Sequence, residues 1–480
     1  MRIFNFLIFT LLLINKVSPQ NKQILYDFEE IPQSLLVNPG MKTNYSWHSS
    51  VPLLGGFSLY AANSGATPSD LFGNDGIPYN DKFRDKVAYG MNVRDEISGT
   101  FQLNIIDVGF RGRNDENYYS FGLYSEMDGI GYFPKDIITL AHEGNANFIG
   151  KKFNLEHVKS RGEAVFVYHL GFNKRISSDL TLGARAKLYS SIMNFQTTKN
   201  KGYLLTTQGE NNLLRTTLDA DIKIQTSGIF EIKDVLDDES QANGSGISRI
   251  LSKRALFGGD LGLGFDLGFT YNLDKRTTIS GSLLDVGFIY HTKDTRTYSL
   301  KGIASTEGVE VFLPADLNNG QDQWQELIDD IGALIPYTVY SENYITFRPT
   351  KLNASVRHDY GELIEPKENC NCTSKVNGNS RRKIYKNSYG GHLYAINRPR
   401  GPQVALSAFY QHRLGNFMTL KSSYTVDKFS FTNIGIGASL QAGPVNMYIL
   451  ADNLLGYRNL ADSHYASFQF GINIISWGKN

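Results

Sequence analysis

The sequence predicts an all-β protein, specifically a transmembrane antiparallel β-barrel of about fourteen strands, with sixteen as the alternative. Three observations lead to this prediction. The 480 residues include 46 Gly, 27 Tyr and 29 Phe but only 14 Pro and 2 Cys, which excludes collagen-like and disulfide-stapled classes. Beyond the first twenty residues no apolar run reaches the roughly 20 residues of a membrane-spanning helix, and the mean hydropathy is −0.28. Long segments instead alternate apolar and small polar residues, as the strands of a barrel wall do.

The alternation is clearest between Leu261 and Tyr290. One face of the first strand carries Leu261, Leu263, Phe265, Leu267, Phe269 and Tyr271, and its other face carries Gly262, Gly264, Asp266, Gly268, Thr270 and Asn272. After a short turn, a second strand places Ser282, Leu284, Val286, Phe288 and Tyr290 on one face, with Leu283 and Ile289 as exceptions. Small polar residues suit a crowded lumen, so we expect the apolar faces to contact lipid. Gly264 and Gly268 would then allow close packing inside the lumen.

Comparable alternating segments recur to the end of the chain and are separated by connections of very different length. Residues 180–197 and 202–208 are predicted as two separate strands. The segments 64–98, 129–160, 231–256 and 292–343 are predicted as long loops, some with short helices. Several loops of this length make a large soluble face, and long loops are where such barrels carry function.

The N-terminal residues have the layout of a secretory signal peptide. A basic start at Met1 and Arg2 precedes an apolar stretch from Ile3 to Ile14, and small polar residues follow as far as Gln20. We therefore predict a signal peptide over residues 1–20 and export of the mature chain. Export of a transmembrane β-barrel indicates the outer membrane of a Gram-negative bacterium, with outer-membrane lipid as a partner.

Two loop features are candidates for interaction or redox chemistry. Trp324, Leu327, Ile328 and Ile331 have helical spacing within the loop 292–343, and the helix they predict either lies over the barrel mouth or binds a partner. Cys370 and Cys372 form a C-x-C pair in a polar loop. The pair is an unspecialised pair of loop cysteines, a strained disulfide or half of a metal site. Export favours the disulfide over metal, and the side of the membrane that carries this loop is left open.

Charged residues on the predicted lumen face form the only other constellation. Asp266 and Asp285 lie on neighbouring strands, and carboxylates this close require cations. Arg185, Lys187 and Arg357 lie on the lumen face of their own strands and are the candidate partners. The alternatives are an internal network that holds a plug or loop, and a permeation or ligand site.

No motif for catalysis, cofactor binding or metal binding is apparent. His142-Glu143 lacks the second His of a zinc peptidase helix, and no Ser lies in a G-x-S-x-G turn. A net charge of +1 gives no attraction for nucleic acid. We therefore expect a non-enzymatic protein with no cofactor and no nucleic-acid partner.

Several short elements resemble a known group of barrels. The segment Leu36 to Gly40, which contains Asn38, Pro39 and Gly40, resembles an element of barrels related to the fatty-acid transporter FadL and the secretion barrel PorV. The stretches 264–268, 432–435, 443–446 and 451–455 are similar to an uncharacterised family of Bacteroidota outer-membrane barrels. This resemblance implies a plug-like N-terminal segment over residues 21–41 in the lumen of a barrel formed by residues 42–480.

Two functions are compatible with these features. The first is an accessory barrel that docks other envelope proteins for secretion or assembly, which the long loops and the absence of a ring of like charge favour. The alternative is passive transport of hydrophobic small molecules, which the resemblance to FadL-type barrels and the expected plug favour. The sequence names neither the protein partner nor the transported molecule.

Overall fold

A computed structural model describes residues 22–209, 213–237, 244–307, 337–364, 384–429 and 433–476. The first ten strands are β1 (Trp47–Ser50), β2 (Phe57–Asn63), β3 (Glu96–Arg111), β4 (Asn117–Tyr132), β5 (Lys152–Asn154), β6 (Ser160–Arg175), β7 (Leu180–Gln208), β8 (Leu214–Ser227), β9 (Asp260–Asn272) and β10 (Thr277–His291). The remaining strands are β11 (Thr295–Glu307), β12 (Tyr337–Tyr340), β13 (Tyr344–Phe347), β14 (Lys351–Ile364), β15 (Ile384–Arg398), β16 (Gly401–Leu414), β17 (Met418–Val426), β18 (Asn433–Ala442), β19 (Val445–Asp452) and β20 (Tyr465–Ser476).

The strands close into a barrel with fourteen positions around the wall, which confirms the predicted fold class. Two positions are each filled by two successive strands: the short strands β1 and β2 share one, and the four-residue β13 shares the other with β14. The others follow in chain order as antiparallel neighbours, and β20 closes the circle by pairing with both β1 and β2. Closure leaves no free edge at membrane depth, as a spanning sheet requires.

Beyond the barrel, β7 continues into a second sheet, which we call the extension sheet. Its first half pairs with β9, and from Asn194 onward it pairs with β8 instead. Strands β11, β12 and β5 complete this sheet. The 29 residues of β7 span about 95 Å, about three times the length that a transmembrane strand needs. The two strands predicted in this region are therefore one, and β11 and β12 occupy a segment predicted as loop, because β8 supplies the partner edge.

The two ends of the barrel differ in the length of their connections. One end, called the short-turn end, carries the turns at residues 112–116, 176–179, 273–276, 415–417 and 443–444. At the same end β14 finishes and β15 begins, and these two strands flank the connection that bears Cys370 and Cys372. The other end carries the helices α1 (Pro68–Phe72), α2 (Tyr79–Lys82), α3 (Lys135–Glu143), α4 (Ile229–Asp237) and α5 (Gly244–Lys253). In bacterial outer-membrane barrels the short turns face the periplasm and the long loops face the cell exterior.

The predicted faces of β9 are confirmed, whereas those of β10 are partly wrong. On β9 every residue from Leu261 to Tyr271 at odd positions is exposed on the outer wall, and Asp266 is fully buried inside. On β10 the register shifts between Leu283 and Val286, where Asp285 has a φ of +57°. This β-bulge reverses the alternation, so that Leu283 faces outward and Ser282 and Leu284 face inward. The bulge explains the exception at Leu283, whereas Ile289 is an apolar residue that faces the lumen.

The N-terminal segment from Lys22 to Met41, called the plug, lies inside the barrel. It contains one short 3-10 helix, Pro32–Leu36, and nearly all its residues are buried. Its apolar residues Ile24, Tyr26 and Phe28 pack with inward-facing Tyr448 and Leu450 of β19. The N-terminal segment therefore lies in the lumen, as the fold prediction stated.

Several sequence predictions fall on residues outside the described ranges. They are the signal peptide over residues 1–20, the helix with Trp324, Leu327, Ile328 and Ile331, and the Cys370–Cys372 pair. These stay predictions. Within the described part of the chain, no helix is long and apolar enough to cross a membrane.

Candidate functional site

The plug is held to the barrel wall by charged and polar contacts along its length. Glu29 accepts a hydrogen bond from Arg357 at 2.8 Å, and Glu30 accepts one from Arg413 at 2.6 Å. Asp27 accepts a hydrogen bond from Ser280 at 2.9 Å. These three acidic residues of the plug therefore face cations and hydroxyl groups on strands β10, β14 and β16.

The Asn38-Pro39-Gly40 element attaches the end of the plug to a part of the wall where glycines face inward. Asn38 Oδ1 accepts a hydrogen bond from the Gly40 amide at 2.9 Å, which closes a tight turn. A Cβ at Gly268 would lie 2.2 Å from Asn38 Oδ1, and a Cβ at Gly183 would lie 1.9 Å from the Pro39 carbonyl oxygen. Two wall glycines thus make room for this turn, and Asn173 Nδ2 donates to the Pro39 carbonyl at 2.8 Å.

A second group of charges, called the ion-pair chain, lies in the middle of the barrel. Asp266 lies 2.9 Å from both Arg185 and Lys187. Asp285 lies 2.6 Å from Lys187 and 2.8 Å from Lys351. The structure therefore brings together four of the five residues that the sequence analysis singled out, namely Arg185, Lys187, Asp266 and Asp285.

The ion-pair chain continues from Lys351 across the lumen. Glu126 on β4 lies 3.4 Å from Lys351 and 2.8 Å from Arg348, and Arg348 also contacts Glu163 on β6. Four wall positions, those of β6, β7, β9 and β10, separate β4 from β14 along the circumference. These bridges therefore join wall strands that are not neighbours and reach across part of the lumen beside the plug.

Arg357 is not part of the ion-pair chain, which corrects the sequence prediction. It pairs with Glu29 and lies 3.2 Å from Asp359. In the sheet register Arg357 lies opposite Thr278, seven residues along β10 from Asp285, a separation of about 23 Å. Alternation correctly placed Arg357 on the lumen face but carried no information about its depth in the barrel.

An apolar group lies beside the ion-pair chain on the inner wall. It consists of Tyr124, Val165, Val167, Tyr189 and Ile289, all nearly fully buried. Leu36 of the plug packs against it. Many other inward-facing residues of the described wall are Ser, Thr, Asn, Gln or charged, and further apolar groups, such as Tyr448 with Leu450 and Tyr394 with Ile396, lie elsewhere on the wall.

A small polar cavity separates the plug from the ion-pair chain. Its volume is about 50 Å³, enough for about three water molecules. Lys22, Glu126, Asp285 and Lys351 are among its lining residues, together with Leu36. Among the described residues no cluster of His, Cys, Asp and Glu could hold a metal ion. The site therefore consists of a plug, an apolar group, and charges that neutralise one another.

Sequence reasoning missed the partners that complete this site. Glu126 lies on the inward face of a regularly alternating strand, and the same alternation that located Asp266 could have located it. Arg348 precedes Pro349 in the break between β13 and β14, where no alternation exists to follow. The acidic plug residues had no visible partner because their contacts are more than 250 residues away in the sequence.

These features define a transmembrane β-barrel whose lumen is occupied by its own N-terminal segment. The chain belongs to the family of unknown function DUF5723, whose model matches residues 39–452. No curated protein matches the chain significantly. Membership in a Bacteroidota group stays a prediction.

Several solved barrels are similar in structure, at low sequence identity. A FadL homologue of Pseudomonas aeruginosa is 9% identical with a TM-score of 0.41, covering 96% of this chain and 98% of that chain. The toluene transporter TbuX of Ralstonia pickettii is 10% identical with a TM-score of 0.39, covering 92% of each chain. The translocator domain of the Neisseria meningitidis autotransporter NalP is 7% identical with a TM-score of 0.29, covering 89% and 88%.

Proposed function

We propose that this protein admits small hydrophobic molecules through the outer membrane and that the plug is its gate. The observation that carries the proposal is the contact between Leu36 of the plug and the apolar group of the inner wall. A polar solute gains nothing from contact with this apolar surface. The surface offers a hydrophobic solute a place to bind between the two ends of the barrel.

The energetics of exchange support this reading. Withdrawing Leu36 uncovers apolar surface, which costs about 25 cal/mol for each Å² exposed to water. A hydrophobic solute that takes its place recovers this cost, whereas water does not. The plug is also held by side-chain contacts rather than by a strand ladder, so it can leave without breaking the barrel wall.

The test is to lock the plug to the wall and measure uptake. Gln33 of the plug donates a hydrogen bond to Asn473 of β20 at 2.7 Å, so cysteines at these two positions lie within reach of a short bifunctional thiol reagent. In a background with Cys370 and Cys372 replaced by Ser, cells producing Q33C/N473C are exposed to N-phenylnaphthylamine, a probe that fluoresces inside membranes. We expect cross-linking to slow probe entry and a cleavable linker to restore it on reduction.

The single variant Q33C, treated with the same reagent, is the matched control and should keep its uptake. Equal probe entry with and without the cross-link would contradict gating by the plug. Equal entry in cells with and without the protein would contradict transport of hydrophobic molecules altogether.

Docking of envelope proteins, the main expectation from the sequence, becomes the second candidate. The observation that favours it is the extension sheet, which projects beyond the barrel and exposes all four residues of β12. Deleting residues 321–335, which include the predicted helix with Trp324, should then abolish recovery of a partner from mild detergent but leave the barrel inserted. Unchanged co-purifying proteins after the deletion would contradict a docking role of this segment.

A further inference from the structure

We infer that the loop between β8 and β9 inserts an apolar tip, Leu256 and Phe257, among the lipid acyl chains beside the barrel. The tip belongs to the short π-helical turn Arg254–Gly258 that follows α5. This lipid-contacting element lies outside the lumen and is independent of the proposed transport.

The tip is fastened to the outer face of the wall. Tyr168 faces outward on β6, two residues from exposed Leu170, and its hydroxyl donates to the Ala255 carbonyl at 3.2 Å. The Phe257 ring stacks on the Tyr168 ring with 4.6 Å between centroids and 23° between planes. Ser190, which pairs with outward-facing Leu261, donates to the Arg254 carbonyl at 2.6 Å. The loop therefore lies along the outer wall of strands β6, β7 and β9.

A buried cation fixes the base of the tip at the point where β7 leaves β9. The Arg254 side chain donates to the Ile192 carbonyl at 2.6 Å and to Glu231 at 3.0 Å, and it is almost completely buried. Phe257 has a φ of +64°, a conformation that is costly for a bulky residue. The stacking on Tyr168 and the anchoring of Arg254 hold this conformation, so the tip is presented rigidly rather than as a frayed loop.

The exposed surface of the tip is continuous with the lipid-facing wall. Leu256 is 66% exposed and Phe257 is 46% exposed, and Leu263 on the adjacent outer face of β9 is 59% exposed. Apolar residues at this height on the wall contact lipid, and the tip extends the same surface sideways. The occupant is therefore the acyl-chain region of the leaflet at the helical end.

Basic residues lie at the base of the tip, as expected at a membrane interface. Lys293 donates to the carbonyls of Gly258 and Gly259, each at 3.0 Å, and it is exposed to solvent. Lys253 is also exposed and lies 3.0 Å from Glu231. A segment that enters a membrane surface places its apolar side chains among the acyl chains and its amines at the headgroups. The apolar tip with lysines at its base has this arrangement.

The test is nitroxide labelling of single cysteines in the full chain, with Cys370 and Cys372 replaced by Ser and the protein in lipid vesicles. Oxygen concentrates among acyl chains and a nickel chelate stays in water, so their relative effects on the label report its surroundings. L263C on the lipid-facing wall is the lipid reference. I303C on the extension sheet, where Ile303 is 73% exposed, is the water reference.

We expect labels at L256C and F257C to match L263C, with oxygen accessibility several-fold above nickel accessibility relative to I303C. Nickel accessibility equal to that of I303C would overturn the inference. Shielding from both reagents would also overturn it, in favour of a protein contact. Retained gel mobility of the folded form verifies that each variant is inserted, and the two tip positions provide independent readings.

Discussion

Replacing Asp285 by Asn is expected to destabilise the barrel because it removes one charge from the middle of the ion-pair chain. The substitution isolates the charge, since Asn has nearly the same shape and, like Asp, tolerates the positive φ of +57° at this β-bulge. In the native protein Asp285 lies 2.6 Å from Lys187 and 2.8 Å from Lys351. After the substitution buried Lys187 and half-buried Lys351 have each lost one of their two carboxylates.

The expected loss in the free energy of unfolding depends on the carboxylates that Lys187 and Lys351 keep. Breaking a buried ion pair by removing one partner costs about 3 to 5 kcal/mol. Lys187 keeps Asp266 at 2.9 Å and Lys351 keeps Glu126 at 3.4 Å, so D285N should lie at the lower end, about 3 kcal/mol. Adding K187Q restores charge balance, and the double variant should be less destabilised than the sum of the singles by about 0.5 to 3 kcal/mol.

The assay is urea unfolding of protein refolded into lipid vesicles, followed by the gel mobility of the folded form. The matched control is E342Q, which breaks a solvent-exposed pair with Lys223 of the same 2.6 Å length. The control should change the free energy of unfolding by less than about 1 kcal/mol. If D285N is no less stable than E342Q, the ion-pair chain contributes nothing and the reasoning is refuted.

Three further predictions concern the plug, the lipid face and a loop. The Cβ added by Gly268→Ala would lie 2.2 Å from Asn38 Oδ1, so this substitution should lower the stability of the docked plug by about 1 to 3 kcal/mol and speed proteolysis of the N-terminal segment. The control Gly129→Ala, which has open space around its Cβ, should leave proteolysis unchanged. Leu267→Lys on the lipid face should lower the free energy of unfolding in vesicles by about 2 to 4 kcal/mol if it lies near the bilayer midplane. The hydrogen bond from Lys86 is the main reason that the pKa of the Asp70 carboxyl, at the start of α1, is lowered from 3.8 to about 2. The hydrogen bonds between Asp70 and Thr67 that cap α1 should therefore persist above pH 4 and be lost as the pH falls through 2. Hydrogen exchange of the α1 amides measures this loss.

The sequence predicted the wall of the barrel better than its contents because a two-residue alternation is a local property. On β9 the alternation gave the correct face for every residue. On β10 it failed where one extra residue at the β-bulge reversed the faces, and a bulge leaves no mark on composition. The continuous strand β7 was divided in two because its outer half is stabilised by β8 rather than by its own pattern.

The partners inside the lumen could not be predicted from alternation alone. Alternation assigns a side chain to the lumen but not to a depth, which is why Arg357 was grouped with Asp285 instead of Glu29. The bridges from Arg348 to Glu126 and Glu163 join residues that are neighbours only because the barrel closes. Gly268 was recognisable as a packing position but Gly183 was not, and the plug that both admit was visible only through the Asn-Pro-Gly resemblance.

The central claim is that the plug closes the lumen, and single-channel conductance in planar bilayers tests it most directly. The native chain is compared with a variant in which residues 22–41 are replaced by a Gly/Ser linker, and a synthetic peptide of residues 22–41 is then added to the variant. The account predicts no steady conductance for the native protein, ion flow through the variant, and closure by the peptide. Equal steady conductance of native protein and variant, or a variant that stays closed, would contradict it.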